Sequence, residues 1–387
     1  MDYYSESLKL HERYKGKWEM NSKVPIETLE DLSLAYTPGV AQPCLEIEKD
    51  PDEVYKYTSK WNTVAIATDG SAALGLGNIG GMAAFPIMEG KAVLFKKFAD
   101  IDAIPICLET QDTDEIVNVL RNIAPTFGGI NLEDISAPRC FEIERKLQEQ
   151  VDIPVFHDDQ HGTAIVVSAG VINSSRYLGK AMSDMKIAMS GAGAAGTAIA
   201  DMLMGFGVGD IVICDSKGIV SKDRTDLTGE KRRLAEVTNA DGLSGSLADA
   251  MKGADVFVGV SQPGIVSQDM VRSMKKDPVI FAMSNPEPEI LPDAAREAGA
   301  VIIGTGRSDF ANQVNNLLAF PGVFRGALDS RAKRVTEEMK IAAAKAIADS
   351  VSDPDLSPGK IIPSIFDENV GPNVAGAVAR AWEDQNI

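Results

Sequence analysis

The chain has 387 residues, 44% of them hydrophobic and 24% charged, with a net charge of −18. That length and composition fit a folded protein of two or three domains, and the acidity argues against nucleic acid or an anionic membrane as a partner. An anionic substrate therefore has to be captured by a local basic pocket, against the overall field.

The cysteines Cys44, Cys107, Cys140 and Cys214 are scattered without a C-x-x-C pair, as expected of reduced intracellular thiols. Met1–Lys17 is charged and rich in tyrosine and has no apolar h-region, so no signal peptide is expected. No apolar run is long enough to span a bilayer. A cytoplasmic location follows as an expectation.

In chain order, Tyr4–Tyr14 shows helical spacing within a polar stretch suited to an arm that packs on another subunit. Tyr36 precedes the turn formed by Pro38-Gly39, where a tyrosine serves structure or catalysis. The β-branched run Thr63–Thr68 ends in Asp69-Gly70-Ser71, and Gly75, Gly77, Gly80 and Gly81 follow in a loop. A helix is expected to open at Pro86–Lys91. Lys96 and Lys97 read as a solvated face, whereas Lys91, beside the glycines, is placed to be desolvated and to lose its proton near neutral pH.

Residues 103–108 read as a buried strand and 114–125 as an amphipathic helix. A short strand from Phe127 ends in Glu133-Asp134, and Ser136-Ala137-Pro138 opens the next helix. Val155–Thr163 then sets Asp158 and Asp159 between His157 and His161. Paired acids before a helix act as partners of its dipole. Four carboxylates at strand ends also suit Mg²⁺ or Mn²⁺. The histidine spacing admits zinc less readily, because no cysteine joins it and only His11 remains elsewhere.

A helix over 163–177 leads to a strand at 184–190 and then to Gly191-Ala192-Gly193-Ala194-Ala195-Gly196 at the start of the next helix. The strand 211–214 ends at Asp215, followed by Ser216 and Lys217. A G-x-G-x-x-G between strand and helix, with an acid closing the next strand, marks a dinucleotide site. Asp215 is placed to accept ribose hydroxyls and to repel a 2′-phosphate, which favours NAD, while Ser216 and Lys217 could cradle that phosphate. Further strands near 256–260, 279–283 and 301–304 end at Ser261, Asn285 and Arg307. Asn285 and the pair Asn315-Asn316 are either ligand contacts or turn formers. Helices over 331–350 and 373–383 close the chain. The expected architecture is α/β: an N-terminal substrate and metal domain over 1–162, and a doubly wound Rossmann-type domain with C-terminal helices over 163–387.

Taken together, these motifs resemble the malic enzymes of the small bacterial and archaeal type. The resemblance is carried by Tyr36-Thr-Pro-Gly, Thr68-Asp-Gly with Leu74-Gly-Leu-Gly, Glu89-Gly-Lys91, Leu132-Glu-Asp134, Phe156–Gly162, the Gly191 loop, Ser284-Asn-Pro286, Asn315-Asn316 and Phe320-Pro-Gly322. It implies oxidative decarboxylation of malate to pyruvate and CO₂ with NAD or NADP, together with Mg²⁺ or Mn²⁺, in a homodimer or higher homo-oligomer. It also implies Lys91 as general base, Tyr36 as general acid and Asp158 as a supporting carboxylate. Glu133, Asp134 and Asp159 become the metal ligands, and Asn285 and Asn315 the substrate contacts. The arginine that larger members place soon after Thr-Asp-Gly is replaced by Ala72, so the asparagines and the metal are expected to hold the substrate carboxylate. The rival reading is a metal-independent NAD-linked dehydrogenase of the amino-acid dehydrogenase type.

Overall fold

The computed structural model describes residues 2–73 and 75–385, so Leu74 of the Leu-Gly-Leu-Gly motif lies outside the described residues. Two sheets organise the chain. The first contains β1 (Thr63–Thr68), β2 (Asp102–Cys107), β3 (Gly129–Leu132) and β4 (Val155–His157) in the order β2-β1-β3-β4. All its pairings are parallel. Every residue of β1, β3 and β4 is buried, as a parallel sheet covered by helices on both faces requires. Because the strands are parallel, the acids that follow β1, β3 and β4 share one edge.

The second sheet contains β5 (Lys186–Ser190), β6 (Asp210–Asp215), β7 (Gly218–Ile219), β8 (Val256–Gly259), β9 (Val279–Ala282) and β10 (Ile302–Thr305). Its order is β10-β9-β8-β5-β6-β7, parallel except for the β6–β7 pair. The order reverses at β5, between β6 and β8, and the Gly191 loop leaves β5 at that point. Ligands bind at such switch points in doubly wound sheets.

The structure corrects several expected helix limits. The helix carrying Lys91 runs from Gly80 to Ala99 with Pro86 inside it, so Lys91 sits in the fourth turn rather than at the start. The helix after β4 begins at Asp158, not at Thr163, and runs unbroken to Leu178. Its first-turn acids face the positive end of the helix dipole. The helix expected over 331–350 occupies Glu337–Asp349, and a further helix forms over Phe320–Asp329. That further helix packs on the helix Gly80–Ala99 through Phe95–Phe320 and Phe95–Phe324, with ring centroids 4.7 and 5.4 Å apart, and on the first sheet through Phe156–Phe324 at 5.8 Å. The aromatic cluster ties the two halves together.

The N-terminal helices Tyr3–Tyr14 and Leu29–Ala35 bury none of their residues. Tyr3, Tyr4, Leu8, Leu29 and Leu34 are each at least 70% exposed. No helix among the described residues is long and apolar enough to cross a membrane.

Candidate active site

Three acid-bearing strand ends and one helix meet at the carboxyl edge of the first sheet. Lys91 reaches into this edge from the helix Gly80–Ala99. Its Nζ lies 2.5 Å from Asp158 Oδ2 and 2.9 Å from Glu133 Oε1. The Phe320 ring centroid is 4.1 Å away. Burial alone pulls the Lys91 ammonium down, but Asp158 and Glu133 outweigh it and hold its pKa above the ordinary lysine value. That direction runs against the neutral amine expected from the sequence, because two carboxylates accompany the lysine into the interior.

The acids carry the opposite imbalance. Burial pushes Asp158 up to about 8, against the pull of Lys91. Burial together with the charge of Asp159 pushes Asp134 up to about 8 as well. Glu133 and Asp159 are likewise raised, chiefly by burial. One lysine cannot neutralise four crowded carboxylates, three of them buried and Asp159 part-exposed, and groups so crowded favour their protonated forms. Asp134 has φ 55°, a left-handed conformation uncommon outside glycine and found where local interactions enforce it. Its backbone N–H donates to Asp159 Oδ2 at 2.8 Å, while its own Oδ2 is buried without a hydrogen-bond partner.

A metal is favoured by the kind and charge of these donors. They are all oxygen, all acidic and short of positive charge, which suits a hard divalent cation. Their side chains do not converge on one point, and among the described residues no group of three or more His, Cys, Asp or Glu side chains is disposed to coordinate an ion. Glu133 is turned onto Lys91 and Asn131, and Asp159 onto the Asp134 amide. The zinc alternative finds no support. His161 Nε2 is engaged by Glu144 at 2.9 Å, and His157 is fully buried.

Asn316, expected as a ligand contact or a turn former, donates from Nδ2 to Asp158 Oδ2 at 2.7 Å. Asn315, the expected substrate contact, also caps the next turn, its Oδ1 accepting from Leu317 N–H at 2.9 Å. Both asparagines line a cavity of about 540 Å³ together with Ala72, Asp134, Asp159, Ser261 and Asn285. Asn285 thus faces the acid cluster, with the Ala194–Ala195 end of the cofactor loop lining the same space. Two further contributors, Gly162 and Phe320, were legible only as family motifs. Tyr36 is not brought to the site within the chain. It is 68% exposed at the end of the helix Leu29–Ala35, and among the described residues no side-chain hydrogen bond or ring contact involves it.

The dinucleotide residues fall together. Gly193 precedes the helix Ala194–Gly205 without a side-chain cap, leaving its first amides free for a pyrophosphate. A Cβ at Gly196 would stand 1.9 Å from Gly191 O, and one at Gly191 2.7 Å from Val260 O, whereas Gly193 faces open space. Glycine is therefore required for close packing at two positions and leaves room for a ligand at the third. A cavity of about 1350 Å³ runs from this loop past Asp215, Ser216, Lys217 and Ser261 to Arg224 and Lys231. Ser190 and Ser261 hydroxyls meet at its floor at 2.7 Å. Asp215 lies at the end of β6 as expected, but it is held by Arg224 and Lys231 at 2.7 and 2.8 Å.

Comparison with known proteins agrees with this geometry. The family model described as malic enzyme, N-terminal domain, matches residues 15–148, and that described as malic enzyme, NAD binding domain, matches residues 160–382. The bifunctional malic/malolactic enzyme of Bacillus subtilis is 57% identical over all of this chain and 95% of its own. The NAD-dependent malic enzyme of Geobacillus stearothermophilus is 54% identical over 95% of this chain and 76% of its own. Among solved structures, the NAD-dependent malic enzyme of Thermotoga maritima superimposes with a TM-score of 0.93 at 48% identity, covering 96% of this chain and 98% of that one. Relatives named as NAD-dependent and as NADP-dependent both occur. With both family models matched in order and relatives more than half identical along its length, the chain belongs to the malic enzyme family.

Proposed function

We propose that the chain converts malate to pyruvate and CO₂ while reducing NAD or NADP, with Lys91 and Asp158 as its proton-handling pair. The observation that carries this reading is the buried Lys91–Asp158 contact at 2.5 Å, joined through Asn316 to a cavity that Asp134, Asp159 and the Ala194–Ala195 end of the dinucleotide loop line together. Lys91, once its own proton has passed to Asp158, takes the proton of the C2 hydroxyl as hydride leaves C2 for the nicotinamide. Asp158, which burial raises to about 8, holds the proton that Lys91 gives up and is oriented by Asn316. The resulting β-keto acid loses CO₂. Asn285 and the neighbouring asparagines orient the substrate carboxylate where Ala72 offers no charge.

Glu133, Asp134 and Asp159 would hold a divalent cation, Mg²⁺ or Mn²⁺, which supplies charge stabilisation to developing oxyanions. Tyr36 would protonate C3 of the enol. Its exposure, and the apolar residues bared along the N-terminal helices, support its acting on the site of a second copy in a homodimer or larger homo-oligomer. A cytoplasmic location accords with the reduced cysteines. The division into a substrate domain to Gly162 and a cofactor domain from Thr163 falls within the helix Asp158–Leu178.

The test is a steady-state assay with malate, Mg²⁺ or Mn²⁺, and each cofactor. Pyruvate and CO₂ should form one-to-one with reduced cofactor, and EDTA should abolish the reaction. Oxaloacetate accumulating without CO₂, or activity indifferent to EDTA, would contradict the reading.

The name of the Bacillus subtilis relative favours a second product. Return of the hydride to pyruvate in the same site would give lactate with no net change in cofactor, and product analysis for lactate decides it.

A further inference from the structure

The cavity beyond the Gly191 loop holds more positive charge than a ribose diol calls for. A carboxylate has about four lone-pair sites, and those of Asp215 are filled. Its Oδ1 accepts from Lys217 N–H at 2.9 Å and Arg224 Nη1 at 2.7 Å, and its Oδ2 from Arg224 Nη2 at 3.2 Å and Lys231 Nζ at 2.8 Å. Asp215 is therefore not free to accept the 2′-hydroxyl as the sequence pattern suggests. Arg224 also grips Asp226 at 2.8 Å, and Lys217 Nζ reaches the same carboxylate at 2.9 Å. Within this cluster three cations face two acids. Glu230 also lines the cavity, but its carboxylate is turned to Arg233 at 2.6 Å.

Lys231 is the group with capacity to spare. An ammonium has three donors, and one of them is used here, on Asp215. Its side chain is 40% exposed and borders the cavity. Asp215 stands at the end of the strand next to the Gly191 loop, whose amide is bonded to Cys214 O at 2.9 Å. That places the cluster where the adenosine ribose lies in a doubly wound dinucleotide fold.

We infer that Lys231 and Arg224 form a seat for a 2′-phosphate, so that this chain takes NADP in preference to NAD. The inference rests on reading this cavity as the adenosine end of the cofactor site. Lys231 meets the phosphate with its unused donors. Arg224, anchored by Asp226, turns its Asp215 edge towards the phosphate as the dianion competes for it. Asp215 serves to hold the two cations in place while no phosphate is bound, rather than to exclude one.

The test is calorimetric titration of the full chain with adenosine 2′,5′-bisphosphate and with adenosine 5′-monophosphate, which differ only in the 2′-phosphate. The bisphosphate should bind at least about tenfold tighter, and the gap should shrink with added salt. Lys231→Ala should close most of the gap with a much smaller effect on the monophosphate, and Lys231→Arg should keep part of it. Equal affinity for the two probes, or tighter binding of the monophosphate, overturns the inference while leaving the cavity as the adenosine site. Equal weakening of both probes by Lys231→Ala would make the lysine merely structural and would also overturn it. If neither probe binds, the reading of the cavity falls and the inference with it.

Discussion

Gly162 lies one turn beyond Asp158 on the same helix, and a Cβ at Gly162 would stand 1.8 Å from Asp158 Oδ1. The absence of a side chain at Gly162 is what lets Asp158 point at Lys91. Gly162→Ala should therefore displace the carboxylate and lower kcat by about 10² or more, the usual share of a positioned acid–base group. Circular dichroism should show an intact fold, since alanine favours a helix over glycine. A variant with native kcat would show that the Asp158 position is not needed.

Asp159→Asn removes one of the three acids assigned to the cation. Both malate oxidation and oxaloacetate decarboxylation should be abolished, because both depend on the charge held there. Retention of oxaloacetate decarboxylation at the native rate would remove Asp159 from the ligand set.

Glu144 lies behind the acid cluster. Burial raises its pKa, but the contact with His161 prevails and holds it down at about 2. A depressed carboxylate contributes stability that is present above its unfolded value near 4.5 and is lost as pH falls through about 2. That loss corresponds to about 3 kcal/mol over the interval. Glu144→Gln should lower stability at pH 7 and flatten its dependence between pH 5 and 2, as read by urea unfolding at a series of pH values. An unchanged acid limb in the variant would disprove the assignment.

Tyr36 acting across subunits makes a prediction about mixtures. Lys91→Ala and Tyr36→Phe chains should each be nearly inactive alone. After mixing and reassociation of a dimer, about half the dimers carry both chains and each has one intact site of two, so about a quarter of the native rate should return. No recovery despite demonstrated exchange would place Tyr36 in its own subunit's site.

The parts of the site most legible in the sequence were those fixed by local rules. The Gly191–Gly196 loop and Asp215 follow from strand–loop–helix chemistry, and Glu133, Asp134, Asp158 and Asp159 could be read as one cluster because parallel strands share an edge. Contacts made over long sequence distances were hidden. Asn316 reaches Asp158 across 158 positions, and Phe320, marked in the sequence only by a family motif, covers Lys91 from a distant helix. The charged surroundings of Lys91 were hidden because the sequence shows a lysine near glycines but not the two carboxylates folded against it. The pairing of Asp215 was missed for the same reason, since its partners Arg224 and Lys231 lie in a polar stretch that resembles an ordinary solvated surface.

The central claim is that Lys91 is the base for malate oxidation, and Lys91→Ala tests it most directly. The variant should lose about 10² to 10⁴ of its malate oxidation rate, and small primary amines added to the assay should restore part of the loss. Oxaloacetate decarboxylation, which needs no proton taken from C2 hydroxyl, should fall much less. Malate oxidation in Lys91→Ala at or near the native rate would contradict the account.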